Sequence, residues 1–376
     1  MTAAGEGGHY PGSLPLRIED TESGRLGIRQ GSLAGRREAG VVPREGDLSM
    51  LMRRCAVAAA VMIGLTACQE NLPKQRAATP IEAASAMPAY WKTAPTTDDQ
   101  RLELLRRLRA IDPCALVPRA DLAKFGKLIE VENRGPSRCE ATFDSTESGK
   151  GTSVSWATGV APTGYGWGNS ELEEVDGITI GVLDDLDGAP PREGQLDRSC
   201  VATAVFANTT TLPVHVRTPL GTEPCPPAQA ALARAMGGLA SEAPQGTSPD
   251  APRTALHGKD PCEVAGVLGA SVTVIDQRVW SCQFTVGGAA VHVDYDYEPR
   301  DVIVMDKTLF VINGHTGYGA GQTGDYVSYA AIVGPALPGP GSELLGPNVP
   351  AVRAFGDDPA AVESALRATV ELFPAI

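Results

Sequence analysis

Ile111-Asp112-Pro113-Cys114 returns later in the same chain as Lys259-Asp260-Pro261-Cys262. A second cysteine follows each copy, Cys139 in the first and Cys282 in the second. Val- and Thr-rich segments come next, and each unit closes on an Ala-rich stretch. An internal repeat decides architecture before any local motif, because each copy is one folding unit. The expectation is an α+β fold of two tandem repeats, each an antiparallel sheet with flanking helices. A single sheet merged across both units is the alternative.

Working outward, Leu102, Leu105, Leu108 and Ile111 recur on one helical face, with Asp98 or Asp99 as cap and Arg106, Arg107 and Arg109 on the solvated side. Asp112-Pro113 breaks this helix and begins the next, since Asp caps and Pro suits a first turn. Alternation predicts strands at 141–143, 153–156, 178–182, 200–207 and 214–217, then a helix at 228–239. The second unit has strand-like runs at 290–295, 309–312 and 326–333 and a helix at 361–373. Pro350-Ala351-Val352-Arg353 resembles Pro213-Val214-His215-Val216-Arg217, and Asp358-Pro359-Ala360 stands where Glu223-Pro224-Cys225 does.

The 376 residues suffice for two domains, each with its own core. A formal net charge of −13 repels phosphate backbones, which argues against nucleic acid as a partner. Aromatic residues are only 5% of the chain, too few for a stacking platform.

The start of the chain reads differently. Residues 1–49 lack sustained apolar periodicity and are expected to be a start-site misassignment or a disordered extension, with translation from Met50 or Met52. Residues 50–67 read as a lipoprotein signal peptide: a basic Met52-Arg53-Arg54, a short apolar run, then Leu65-Thr66-Ala67-Cys68. That run is too short for a permanent membrane span. The four-residue ending resembles the bacterial lipobox, which implies lipidation at Cys68. Two or more acyl chains, palmitate among them, anchor stably where one does not. An ordinary signal peptide with a chance cysteine is the alternative. Residues 68–98, rich in Ala, Pro, Thr and Gln, read as a disordered tether. The first repeat domain is then 99–239, a linker 240–256 and the second repeat domain 257–376.

With Cys55 removed and Cys68 lipidated, six cysteines remain, an even number that reads as disulfides in an exported chain. The second unit holds only Cys262 and Cys282, so these pair. Equivalence then gives Cys114–Cys139 and leaves Cys200–Cys225. A metal site is disfavoured, for no Cys-x-x-Cys or nearby His pair supports zinc.

The Asp-Pro-Cys opening, the second cysteine, the later cysteine pair and the lipobox together resemble actinobacterial cell-envelope lipoproteins of a domain family of unknown function. The similarity covers about residues 100–376 as two copies. It implies exported, membrane-anchored α+β domains, some described as sensor-like, on the extracytoplasmic face of the cell membrane. It supplies no catalytic residues, and the second copy departs from it by lacking the later cysteine pair.

Each catalytic or ligand motif is weak. Gly319-Ala320-Gly321-Gln322-Thr323-Gly324 fits G-x-G-x-x-G, but the strand-like 326–333 follows it where a helix is required. Asp184-Asp185-Leu186-Asp187-Gly188 suggests a calcium loop, yet Gly188 in the sixth position puts Leu183 first and Gly194 twelfth, which excludes an EF-hand. Asp294, Asp296 and Glu298 share one strand face and could serve glycoside hydrolysis. His215, His257, His292 and His315 accompany no nucleophile elbow. The expectation is therefore no enzyme, no cofactor and no metal: an envelope protein that binds or senses a protein or small ligand. A cell-wall hydrolase using the acidic face and a structural spacer are the alternatives. If Cys68 carries the anchor, Cys68→Ala moves the protein from the membrane to the soluble fraction of disrupted cells; equal membrane retention overturns the anchor.

Overall fold

The computed structural model describes residues 79–161, 167–168, 170–186, 188–305, 308–319, 326–338 and 345–375. Part of the expected tether is folded. Thr79 caps helix α1 (Pro80–Ala86): its hydroxyl accepts from the Glu82 amide, and the Glu82 carboxylate accepts from the Thr79 amide. A 3-10 turn, Ala89–Lys92, then buries Trp91 completely, edge-on to Tyr90 and 6.0 Å from Phe206. A fully buried indole contributes on the order of 2 kcal/mol or more, enough to fasten a polar segment. Cys68 and the rest of the expected signal lie outside the described residues.

Helix α2 (Asp98–Ala110) is capped by Thr97, whose hydroxyl accepts from Gln100, so neither Asp98 nor Asp99 is the cap. It buries Leu104, Leu105 and Leu108 as its periodicity demands. Arg109 corrects the expected solvated basic face, since it is only 5% exposed. After α2, Asp112 caps the single 3-10 turn Pro113–Ala115. Its buried carboxylate accepts from the amides of Cys114 and Ala115 through Oδ1 and of Ser248 through Oδ2. The Asp112 amide donates to Ala243. The expected linker 240–256 is thereby tied into the fold, with Ala251 and Leu256 buried.

A short α3 (Arg119–Leu122) leads into β1 (Leu128–Gly135), β2 (Arg138–Phe143), β3 (Thr152–Ala157), β4 (Gly159–Val160), β5 (Glu171–Val175), β6 (Ile178–Asp184), β7 (Asp197–Val205) and β8 (Thr210–Pro219). They form an antiparallel sheet of order β1-β2-β3-β8-β7-β6-β5, with β4 beside β8. Helix α4 (Cys225–Ser241) covers its apolar face through Ala228, Leu232, Met236 and Leu239, and α1 packs on α4. The second half contains α5 (Glu263–Val267), β9 (Ser281–Val286), β10 (Ala289–Pro299), α6 (Arg300–Val304), β11 (Thr308–Ile312), β12 (His315–Gly319), β13 (Val327–Ile332), β14 (Asn348–Gly356) and α7 (Pro359–Val370). Its antiparallel sheet has the order β11-β12-β13-β14-β10-β9, covered by α7. The fold class is α+β with two sheets, and not one merged sheet.

Disulfides join Cys114–Cys139, Cys200–Cys225 and Cys262–Cys282, the pairs expected from the sequence. Taking Cys139 and Cys282 as one position, the first sheet runs β2-β3-β8-β7-β6-β5 and the second β9-β10-β14-β13-β12-β11, the same path. Carried along the ladders from that position, buried residues stand over buried residues. Cys139 faces Trp156, which faces Val214; Cys282 faces Val293, which faces Ala354. Cys200 sits opposite Val216, and Val327 sits opposite Gly356, so Val327 holds the rung of Cys200 and has no thiol. At Gly356 a Cβ would stand 2.4 Å from the Ala290 carbonyl oxygen, closer than any side chain allows. Arg353 and Arg217, similar in sequence, fall on different rungs: Arg353 faces Asp294 and Arg217 faces Ser153.

One cluster of buried side chains runs through both halves. Arg109 crosses between them. Its Nε donates to the Val279 carbonyl at 2.8 Å, and its Nη1 pairs with Asp260 Oδ2 at 2.8 Å. Asp260 also accepts from the Cys262 amide, so the second Asp-Pro-Cys turn is held from the first half's helix. Among the described residues no helix is long and apolar enough to cross a membrane. Arg109→Met should lower unfolding stability by about 2–4 kcal/mol, because buried carbonyls and Asp260 lose their donor. Urea denaturation reads this as a lower midpoint; an unchanged midpoint refutes the role.

Candidate functional site

The turn between β1 and β2 carries Arg134, Gly135, Pro136, Ser137 and Arg138, and β1 packs beside β10. Between this turn and the outer face of the second sheet lies a cleft of about 400 Å³. β10 supplies Asp294, Asp296 and Glu298, β14 supplies Arg353, and Trp280 and Ser281 form the wall at the start of β9. Strand alternation dictates this division: Val293, Tyr295 and Tyr297 are buried, while the three acids point the other way. The hairpin approaches so closely that a Cβ on Gly135 would stand 3.0 Å from Asp296 Oδ1. Glycine there lets the backbone serve as one wall.

Most charges in the cleft are paired. Glu298 accepts from Arg353 Nη2. Arg134 bonds Glu132 at 2.6 Å and Glu140 at 3.2 Å. Asp294 lies 2.9 Å from His292 Nε2, and that imidazole stacks on Phe355 with centroids 4.5 Å apart. Among the described residues Asp296 accepts only the Tyr297 amide, at 2.8 Å. Arg138 makes no ion pair among the described residues. Asp296 is open at the cleft mouth yet walled by protein elsewhere. This partial desolvation pushes its carboxyl up to about 6; Glu298 and Asp294 add to the rise, while the Tyr297 amide and Arg138 oppose it. The indole Nε1 of Trp280 and the Nε of Arg353 are buried without partners among the described residues.

The other sequence candidates are structural or fall elsewhere. Asp184 and Asp185 hold Arg198, at 2.7 and 2.9 Å, and Glu223 completes its ring at 3.0 Å. A guanidinium therefore sits where a calcium ion was conceivable, and Asp187 lies outside the described residues. Gly319 ends β12, while residues 320–324 of the glycine motif lie outside them. His257 accepts the Thr254 amide, and burial lowers it to about 4. His215 is half-buried on β8, and burial lowers it as well. His315 is buried, with Nδ1 3.2 Å from the Ile332 carbonyl. The acidic face was visible in the sequence. Arg134, Arg138, Arg353 and Trp280 were missed, and alternation through β1, together with Gly135-Pro136 as a turn, was the available sign of the hairpin.

No family model matches the chain, and no curated protein does. Among solved structures, the crystal structure of DynU16, from the dynemicin biosynthetic locus, aligns at 11% identity over 74% of this chain and 91% of that one, with a TM-score of 0.12. A likeness at that level carries no argument about fold or function.

The Asp296 environment makes a signed prediction. An unfolded Asp titrates near 4, so between about pH 4 and 6 the folded state holds the extra proton and stability falls as pH rises. Asp296→Asn removes that loss. The variant should gain relative to the parent between pH 4.5 and pH 7.5, by about 0.5–1 kcal/mol after allowing for solvent screening. A parent–variant difference flat across this range contradicts the assignment.

Proposed function

We propose that this chain is an exported, lipid-anchored envelope protein, with a non-catalytic role of binding or sensing a small polar ligand in the cleft between its sheets. The observation that carries the reading is that cleft: both halves line it, and it holds a carboxylate and a guanidinium with no ionic partner among the described residues. About 400 Å³ is within the range of small-molecule sites, roughly 300–1,000 Å³. The two halves are read as tandem repeats, supported by their common Asp-Pro-Cys turn, the bridge from each turn to the first strand of the shared path, and the strand path itself. Three disulfides suit an exported protein. The lipobox around Cys68 and the resemblance to envelope lipoproteins support the anchor and the extracytoplasmic face.

The raised carboxyl of Asp296 favours one rival, a cell-wall hydrolase with that group as general acid. The two readings separate in one experiment. Full-length protein in detergent is exposed to a small-molecule envelope extract and examined by native mass spectrometry beside Ala157→Phe, which fills the cleft from the first sheet. The parent should retain a released small molecule and the variant should not, while peptidoglycan stays intact with both. Peptidoglycan cleavage lost in Asp294→Asn/Asp296→Asn transfers the assignment to a hydrolase, and retention of nothing by the parent overturns the binding reading.

A further inference from the structure

The cleft's two halves meet in a particular way. On the Cys139–Cys282 equivalence, Arg138 corresponds to Ser281 and Ala157 to Asp294, because Arg138 faces Ala157 and Ser281 faces Asp294 in their ladders. All four line the same cleft. Like positions facing one another is the arrangement of an isologous contact, in which each side presents the same patch. Here the patches match in backbone and differ in charge. The first half offers a guanidinium on this rung, and the second offers a carboxylate.

Of the groups facing the cleft, Glu298, Arg353, Arg134 and Asp294 are engaged with one another or with Glu132, Glu140 and His292. Asp296 and Arg138 remain. They feel each other's charge but form no ion pair within 4.0 Å. Opposite charges held apart across one cleft are matched by a molecule that carries both. Ala157, Pro136 and the Trp280 ring add apolar wall beside them. A simple cation would leave Arg138 unmatched, and a simple anion would leave Asp296 unmatched.

We infer that the cleft binds small zwitterions of the amino-acid or dipeptide class, with the ammonium on Asp296 and the carboxylate on Arg138. This rests on the binding reading above and names its ligand. The test is isothermal titration of the full-length lipidated protein in detergent with the twenty standard amino acids and glycylglycine. The tightest of these is then compared with its N-acetylated and its C-amidated forms. Loss of either charge should weaken binding about tenfold or more. Asp296→Asn should weaken the zwitterion similarly while leaving the N-acetylated form unaffected, and Arg138→Gln should do the same with respect to the amide. Binding of the zwitterion should also strengthen as pH rises through about 6, where Asp296 ionises with His292, Asp294, Glu298, Arg134, Arg138 and Arg353 around it. Circular dichroism of both variants, unchanged from the parent, separates a lost contact from a lost fold. No binding by any unblocked probe, or equal binding of blocked and unblocked forms, overturns the inference. If an envelope molecule is still retained in the cleft, the broader reading survives that failure; if nothing is retained, both fall.

Discussion

A guanidinium buried between two halves of a chain is costly unless its nitrogens find partners, and each nitrogen of Arg109 finds one in the other half: the Val279 and Arg278 carbonyls and Asp260. It leaves the end of α2 and reaches the Val279 carbonyl and Asp260, at the turn that opens the second half. Three residues on, Asp112 holds the first Asp-Pro-Cys turn and, through Ser248, the segment leading to the second. Two polar side chains in one stretch thus fix both turns and the connection between them. Apolar packing alone would resist sliding far less, since hydrophobic contact is non-directional and hydrogen bonds to named carbonyls are not.

The cleft depends on this arrangement. Val279 is the neighbour of Trp280, whose carbonyl accepts the Tyr295 amide, and Tyr295 lies between the two aspartates on β10. Fixing Val279 from α2 therefore sets where the cleft wall and the acidic strand stand relative to the first sheet. The β1–β2 hairpin then closes the other side, with Gly135 bringing its backbone close against Asp296.

The sequence made much of this legible and hid the rest for identifiable reasons. Asp-Pro-Cys, period-2 strands and the arithmetic of six cysteines led to the helices at 98–110, 225–241 and 359–370, to strands β2, β3, β6, β7, β8, β10, β11 and β13 and to all three bridges, because each depends on local chemistry or on likeness between the two halves. The helix expected from Asp112-Pro113 is only a 3-10 turn and the short α3. The helix at 80–86 and the burial of Trp91 were hidden, since a Pro- and Ala-rich segment resembles a linker until its one large ring has a place to dock. Arg109 was read as solvated because its helix position is near the polar side, and only the second half makes that side an interior. The acids at 294, 296 and 298 were visible as a face; the arginines opposite them were not. A site assembled across two halves has no spacing to read.

Disulfides bear on the cleft directly. Arg138 immediately precedes Cys139, and Ser281 immediately precedes Cys282, so each lip is one residue from a bridge to its own Asp-Pro-Cys turn. Those turns are in turn held by Asp112 and by Asp260 with its Arg109 partner. The lips are therefore cross-linked to the same points that fix the two halves together, and little backbone freedom is left there for the proposed ligand to remove. Preorganisation of this kind lowers the entropic cost of binding without adding a contact. The third bridge, Cys200–Cys225, lies on β7 and α4, away from the cleft, and its rung in the second half carries Val327. The bridge absent from the second half is the one remote from the lips, while the bridge beside the lips is present in both.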